Sequence, residues 1–212
     1  GAKGRLIVDQ ERRKAIAANH SGTHILQAAL KAVLGDHIKQ SGSLVNAQRL
    51  RFDFTHFSKI SDEELQRVET IANDMIRKNV DVKTEVCALE DALKTGATAV
   101  FDEKYGDEVR VVYIGESDDV FAPEGVYSKE LCGGIHARNT NELRLFRILK
   151  ETSIGTNLRR IEAFVGEKAI ESFQQATHDI KTISLLSNKP TISAIEAVKQ
   201  ILEEQNIREQ EL

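Results

Sequence analysis

No apolar stretch in this sequence approaches the length needed to cross a bilayer, which excludes a helical membrane protein. Cysteine is nearly missing, with 2 in 212 residues, so no disulfide framework holds the fold and the chain reads as intracellular. Positive charge is not in excess either. The formal net charge is −4, so any polyanionic partner has to meet a local basic surface rather than a basic whole. Internal repeats and low-complexity tracts are absent. The opening Gly1 to Gly4 carries one Lys, and no apolar segment behind it could serve as a signal peptide, so a cytoplasmic chain, excised from a longer one, is the expectation.

What remains has the balance of a folded domain. Hydrophobic residues make up 41% and charged residues 29%, and the length suffices for one core with an appendage. Asp9 can cap a helix over residues 11–34, with Ile16, Leu26, Leu30 and Val33 at apolar positions and Gly35 placed to end it. Residues 49–54 alternate strictly, which puts Leu50, Phe52 and Phe54 on one face of a half-buried strand. Ser61 and Glu64 have capping-box spacing ahead of a helix over residues 62–78. Val80, Val82, Thr84 and Val86 alternate as a strand, residues 90–94 read as a short helix, and strands are expected at 109–114, 143–149 and 159–165. Beyond Gly166, apolar positions step by three and four through Ile170, Phe173 and Ile180. Ser187-Asn188-Lys189-Pro190 interrupts them, and Ile195, Val198 and Leu202 resume. This is a helical hairpin or coiled-coil arm, or else a helix pair packed on the same domain.

Four side chains carry metal chemistry. His20 and His24 lie four residues apart on the first helix, hence on one face and close enough to share an ion. Cys132-Gly133-Gly134-Ile135-His136 offers a thiolate and an imidazole across two glycines that let the backbone turn both toward one centre. Three imidazoles and one thiolate suit a tetrahedral, borderline-soft ion, which is most often zinc. Four protein ligands fit a closed structural site as well as a catalytic one. Cys87, in an alternating segment, reads as a core thiol, and His37, His56 and His178 read as non-ligands.

The segments around these residues resemble the editing domain of alanyl-tRNA synthetase and its freestanding relatives, the alanyl-tRNA editing proteins. The likeness lies in Asn19-His20-Ser21-Gly22-Thr23-His24, Gln40-Ser41-Gly42-Ser43-Leu44-Val45, residues 49–54 with His56, Glu103-Lys104-Tyr105-Gly106-Asp107, residues 130–136, and Arg159-Arg160-Ile161-Glu162-Ala163. It runs in consistent order over roughly residues 5–170. The resemblance implies an α+β fold, shared with the threonyl-tRNA synthetase editing module, in which a mixed sheet wraps a long central helix bearing the histidine pair. It places an editing domain at residues 1–166 and, at 167–212, a helical arm or the start of a C-terminal region, with a surface for self-association. It also implies Zn2+ held by His20, His24, Cys132 and His136, and hydrolysis of tRNA(Ala) mischarged with serine or glycine. Gln40, Ser21 and Thr23 become the catalytic candidates. Lys104, Arg138, Arg159 and Arg160 become a rim for the tRNA acceptor end, and the rest of a parent synthetase becomes a partner.

The sequence departs from the family pattern at Ile135, where Thr is usual, which removes a hydroxyl beside the metal. Two rival readings stay open: a zinc-stabilised tRNA-binding module without catalysis, and a metallohydrolase acting on an unrelated small ester or amide.

Overall fold

A computed structural model describes residues 4–99, 105–115, 128–187 and 193–210. Its first helix, α1 (Gln10–Leu34), starts where the side chain of Asp9 accepts a hydrogen bond from the Arg12 backbone N–H at 3.0 Å. It stops at Gly35, whose φ of +108° is out of reach for most side chains. The chain continues through β1 (Gln40–Val45), β2 (Leu50–Thr55), α2 (Asp62–Arg77), β3 (Val82–Ala88), α3 (Leu89–Lys94), β4 (Glu108–Ile114) and β5 (Ser128–Leu131). A 3-10 helix (Thr140–Leu143), β6 (Phe146–Gly155), β7 (Leu158–Val165), α4 (Glu167–Leu186) and α5 (Ala194–Gln210) complete it. The Ser61–Glu64 capping box forms in both directions, at 3.1 and 2.8 Å.

The class is α+β, but the strands divide into two antiparallel sheets, in the orders β1-β2-β7-β6 and β3-β4-β5, rather than one mixed sheet. The short connections at residues 46–49 and 156–157 permit only antiparallel neighbours. The parallel element among the described residues is the isolated Thr98–Glu130 bridge. The strand expected to begin at residue 143 begins at Phe146, because Thr140–Leu143 coils into the 3-10 helix and Arg144 turns the chain with φ +57°.

The main core gathers Ile25, Leu26 and Leu30 of α1, Met75 and Ile76 of α2, and Leu50, Phe52, Phe54, Phe146 and Ile161 of the four-stranded sheet. Strand β4 serves two clusters by alternation: Val112 and Ile114 join this core, while Val109 and Val111 pack with Ala92 and Leu131 in a smaller one. Gly22 sets how closely α1 lies on the sheet. A Cβ there would stand 2.8 Å from Val165 Cγ2 and 3.3 Å from Leu50 Cδ2. Since Gly22 is about 180° around the helix from His20 and His24, its close approach to β7 and β2 leaves the histidine face turned the other way.

The chain divides into two compact units, Gly1–Ala169 and Ile170–Leu212. In the second, α4 ends at Leu186, directly before the expected interruption, whose residues 188–190 lie outside the described ones. Phe173, Ile180, Leu186, Ile195 and Leu202 are exposed there. Among the described residues no helix is long and apolar enough to cross a membrane.

Candidate metal centre

The structure brings His20, His24, Cys132 and His136 together, with one donor atom from each lying within 4.8 Å of all the others. Cys132 Sγ sits 3.4 Å from His20 Nε2 and 3.3 Å from His136 Nε2. Those separations are close to the edge, roughly 3.3–3.6 Å, of a tetrahedron built with 2.0–2.3 Å metal bonds. The three rings crowd the same space, with centroids 4.3 to 5.4 Å apart.

The outer nitrogen of each ring is tied down. His20 Nδ1 donates to the Ile135 carbonyl at 3.1 Å, and His24 Nδ1 meets Glu130 Oε2 at 2.8 Å. His136 Nδ1 lies 3.3 Å from Ser21 Oγ, which also accepts the Ala137 N–H at 3.1 Å. With Nδ1 held as the protonated nitrogen, Nε2 keeps its lone pair for the centre, the arrangement a metal-binding imidazole needs. His24 Nε2 is buried and has no hydrogen-bond partner, which fits a missing electrophile at that point.

Electrostatics agree. Burial disfavours the His24 imidazolium, yet Glu130 and Cys132 outweigh it and raise the pKa of His24 to about 10. Burial also disfavours the Cys132 thiolate, but hydrogen bonds from His136 and His20, with the positive charge of the nearby His24, bring its pKa down to about 3. The centre therefore holds a thiolate and favours a positive charge beside it, which either a proton or a metal ion can supply. The donor set and its geometry fit a metal ion.

The second glycine of the loop acts through space. A Cβ at Gly134 would stand 2.1 Å from His20 Cε1, so any other residue there drives into a donor ring. At Gly133 a Cβ would meet nothing within 4 Å. Neither glycine has a positive φ, so the expected role in turning the backbone gives way to close approach at Gly134.

A pocket of about 390 Å³ opens over the cluster, lined by His20, His24 and Cys132 together with Thr23, Gln40, Tyr105, Glu108, Arg110 and Glu130. Gln40 thus reaches the pocket, its amide donating to Ser43 Oγ at 3.4 Å. Thr23 lines it too, although its hydroxyl donates back to the Asn19 carbonyl at 2.9 Å. Ser21 is fully buried and outside the lining, where it holds His136 and the Ala137 N–H. Ile135 contributes its carbonyl, which any residue supplies, and its side chain is not part of the lining.

The expected basic residues are spread out. Arg160 makes a two-point ion pair with Asp53, at 2.7 and 2.8 Å, because the β2–β7 register sets the two opposite each other. Arg159 pairs with Glu151 of β6. Both guanidiniums are thus engaged by carboxylates within the sheet. Arg138 is exposed, and Lys104 lies outside the described residues. Of the histidines read as non-ligands, His37 and His56 bond to each other at 2.8 Å, and His178 is exposed on α4.

Two residues of the site carry no role in the sequence reading. Glu130 lies in β5 two positions before Cys132, which follows the strand directly, and that spacing is the signal for it. Arg110 donates from Nη1 to the carbonyls of Cys132 at 3.0 Å and Gly134 at 2.6 Å, fastening the loop to β4. Only the cross-strand register reveals it.

Known proteins match this chain in the same region. Residues 109–162 fit the family model described as Threonyl and Alanyl tRNA synthetase second additional domain. An alanine–tRNA ligase of Lachnoclostridium phytofermentans is 43% identical over 94% of this chain and 22% of its own length. That of Saccharophagus degradans is 43% identical over 95% of this chain and 22% of its own, and that of Methylococcus capsulatus 42% over 100% and 23%. The chain thus spans between a fifth and a quarter of the length of these curated relatives.

Proposed function

Since this chain belongs with the alanine–tRNA ligases, as the counterpart of the part of them that carries the second additional domain, we propose that it is a zinc-dependent editing deacylase. Its substrates are tRNA(Ala) mischarged with serine or glycine, and it works in the cytoplasm as part of a longer synthetase. The observation that carries the reading is the cluster of His20, His24, Cys132 and His136 at the base of a pocket that three of the four line. A purely structural metal gains nothing from opening onto a pocket.

The need for such an activity follows from size. An alanine site cannot strongly reject glycine, or a serine that only adds a hydroxyl, because such differences are worth about 1–3 kcal/mol. A second site that hydrolyses the wrong ester supplies the missing discrimination. Zinc, when bound, supplies a Lewis acid that can orient the substrate amine or acidify a water. Around it the chain's own groups do the rest. Glu130 keeps His24 in the tautomer that presents Nε2, and Ser21 orients His136. Gln40, from the pocket wall, offers a donor and an acceptor to the substrate's polar groups, and Thr23 stands beside it. Arg138, which is exposed, and Lys104 supply charge for the tRNA acceptor end, while the guanidiniums of Arg159 and Arg160 are already engaged by Glu151 and Asp53.

The test is deacylation of Ser-tRNA(Ala), Gly-tRNA(Ala) and Ala-tRNA(Ala) by the purified chain, with and without a chelator. Serine and glycine should be released in preference to alanine, the chelator should stop the reaction, and zinc should restore it. Equal rates on all three, or full activity in the Cys132→Ala variant, would overturn the reading.

A further inference from the structure

The outer face of the four-stranded sheet, turned away from α1, gathers positive charge on a chain whose formal net charge is −4. The registers put Arg51 and Asp53 of β2, Arg160 and Glu162 of β7, and Arg147 and Lys150 of β6 on this face, alternating with the core residues Phe52, Ile161 and Ala163 on the other. Arg49, just before β2, joins them through its ion pair with Glu162. Five cations thus share two carboxylates. Every carboxylate oxygen is taken: those of Asp53 by Arg160 at 2.7 and 2.8 Å, and those of Glu162 by Arg49 and Lys150, each at 2.8 Å. Arg51 is left 3.7 Å from Asp53, too far for a hydrogen bond, and its buried Nε has no partner among the described residues. Arg147 stands opposite Phe164, and its buried Nη1 has none either. Buried donors are nearly always satisfied and charges within a fold nearly always paired, so the acceptors for these two guanidiniums come from outside the chain.

We propose that this sheet face binds the sugar–phosphate backbone of the tRNA body, apart from the acceptor end that enters the metal pocket. The choice of tRNA rests on the deacylase reading and on relatives that are alanine–tRNA ligases. Phosphate accepts two-point hydrogen bonds from a guanidinium, and four of the five cations are arginines. Along one strand, side chains of one face recur at about 7 Å, a pitch at which successive phosphates of an extended backbone can be met. The sheet and α1, itself about 10 Å across, separate this face from the histidines. It therefore supplies affinity for the tRNA and takes no part in the chemistry. Contacts of this kind carry no sequence information and weaken with salt.

The experiment measures binding of uncharged tRNA(Ala) to the zinc-loaded chain by fluorescence anisotropy across a salt series. In the double variant Arg51→Gln, Arg147→Gln, affinity should fall about tenfold or more, and the slope of log affinity against log salt should shrink by about two, one for each lost phosphate contact. Lys14→Gln, Lys94→Gln removes as much charge from α1 and α3, where each lysine already has a glutamate, and should change neither. In the unaltered chain, bound tRNA should shield Arg51 and Arg147 from phenylglyoxal, read by mass spectrometry, so a variant that folds badly does not blunt the test. With Ser-tRNA(Ala) the arginine double variant should show a raised KM and an unchanged kcat. Equal losses in the two double variants, unshielded arginines, or capture of phosphatidylserine vesicles in preference to tRNA would overturn the proposal. Binding of tRNA that depends on Arg51 and Arg147, without any hydrolysis, would overturn the deacylase reading and uphold this surface.

Discussion

The helix that carries His20 and His24 and the loop that carries Cys132 and His136 reach the same centre by different means. On α1 the two imidazoles are fixed by the helix itself: residues 17–19 and 21–30 are buried, and the backbone ladder sets the spacing. The loop after β5 has no ladder of its own. Its backbone is held group by group: Cys132 N–H on the Arg110 carbonyl at 2.9 Å, Cys132 and Gly134 carbonyls on the Arg110 guanidinium, and the Ile135 carbonyl on His20. The Ala137 N–H on Ser21 completes the set. Two of those five tethers come from α1. The helix is therefore both a donor of ligands and the template against which the other two ligands are set, so the loop is where small changes should disturb the centre most.

Gly134→Ala should break the loop side most severely. Its Cβ would stand 2.1 Å from a carbon of His20, and both loop and ring are held by other bonds. Zinc affinity, measured by competition with a chromophoric chelator, should fall by more than about 100-fold. Gly133→Ala, one residue earlier, places its Cβ in open space and should keep the ion. Equal affinities for the two variants would sink the close-approach argument.

Glu130→Gln comes next. It keeps the shape of the side chain but removes the carboxylate that holds His24 Nδ1 at 2.8 Å and raises its pKa. Outer partners of this kind typically account for 10–100-fold in metal affinity, and the same chelator titration should show a loss of about that size. The loss here tests the helix side of the comparison, since Glu130 acts on a helical ligand from the neighbouring strand.

Arg110→Met keeps the aliphatic stem and removes the guanidinium that joins the Cys132 and Gly134 carbonyls. Each charge-assisted bond contributes about 1.5–3 kcal/mol. Part of that loss should appear as a zinc affinity lower by roughly tenfold, with far-UV circular dichroism unchanged because β4 keeps its ladder with β3. Arg110→Lys should recover part of it, since both bonds leave the one nitrogen Nη1 and an ammonium also carries more than one N–H to donate. An affinity equal to that of the unaltered chain would mean that the α1 tethers suffice.

How far this site could be read from the sequence follows the same division. Periodicity carries the helix, so Asp9, Gly35 and the His20–His24 face were legible, as was the capping box at Ser61 and Glu64. Alternation carries the half-buried strand with Leu50, Phe52 and Phe54. It does not carry β1, a polar edge strand of Gln40-Ser41-Gly42-Ser43-Leu44-Val45, or the four residues of β5, which are too short to show a period. Pairing across strands is invisible in one dimension. That is why Arg159 and Arg160 look like free cations until the β6–β7 and β2–β7 registers bring them to Glu151 and Asp53, and why Arg110 looks unremarkable until β4 lies beside the loop.

The smallest expected effect tests the tether that joins the two segments directly. Ser21 Oγ takes the Ala137 N–H at 3.1 Å and faces the half-buried His136 at Nδ1 at 3.3 Å, with Ser21 and Ala137 themselves buried. Ser21→Ala strands that buried N–H, which costs about 1–3 kcal/mol in stability, and frees the His136 ring to rotate. Zinc should bind roughly fivefold more weakly, the equivalent of about 1 kcal/mol, with thermal unfolding shifted down whether or not zinc is present. Ser21→Thr keeps the hydroxyl and should recover most of the metal affinity, while its added methyl group, in a site with no exposure, still costs stability. A Thr variant that restored stability but not affinity would show that the hydroxyl serves the fold alone, and the loop would then owe its position to Arg110 and His20.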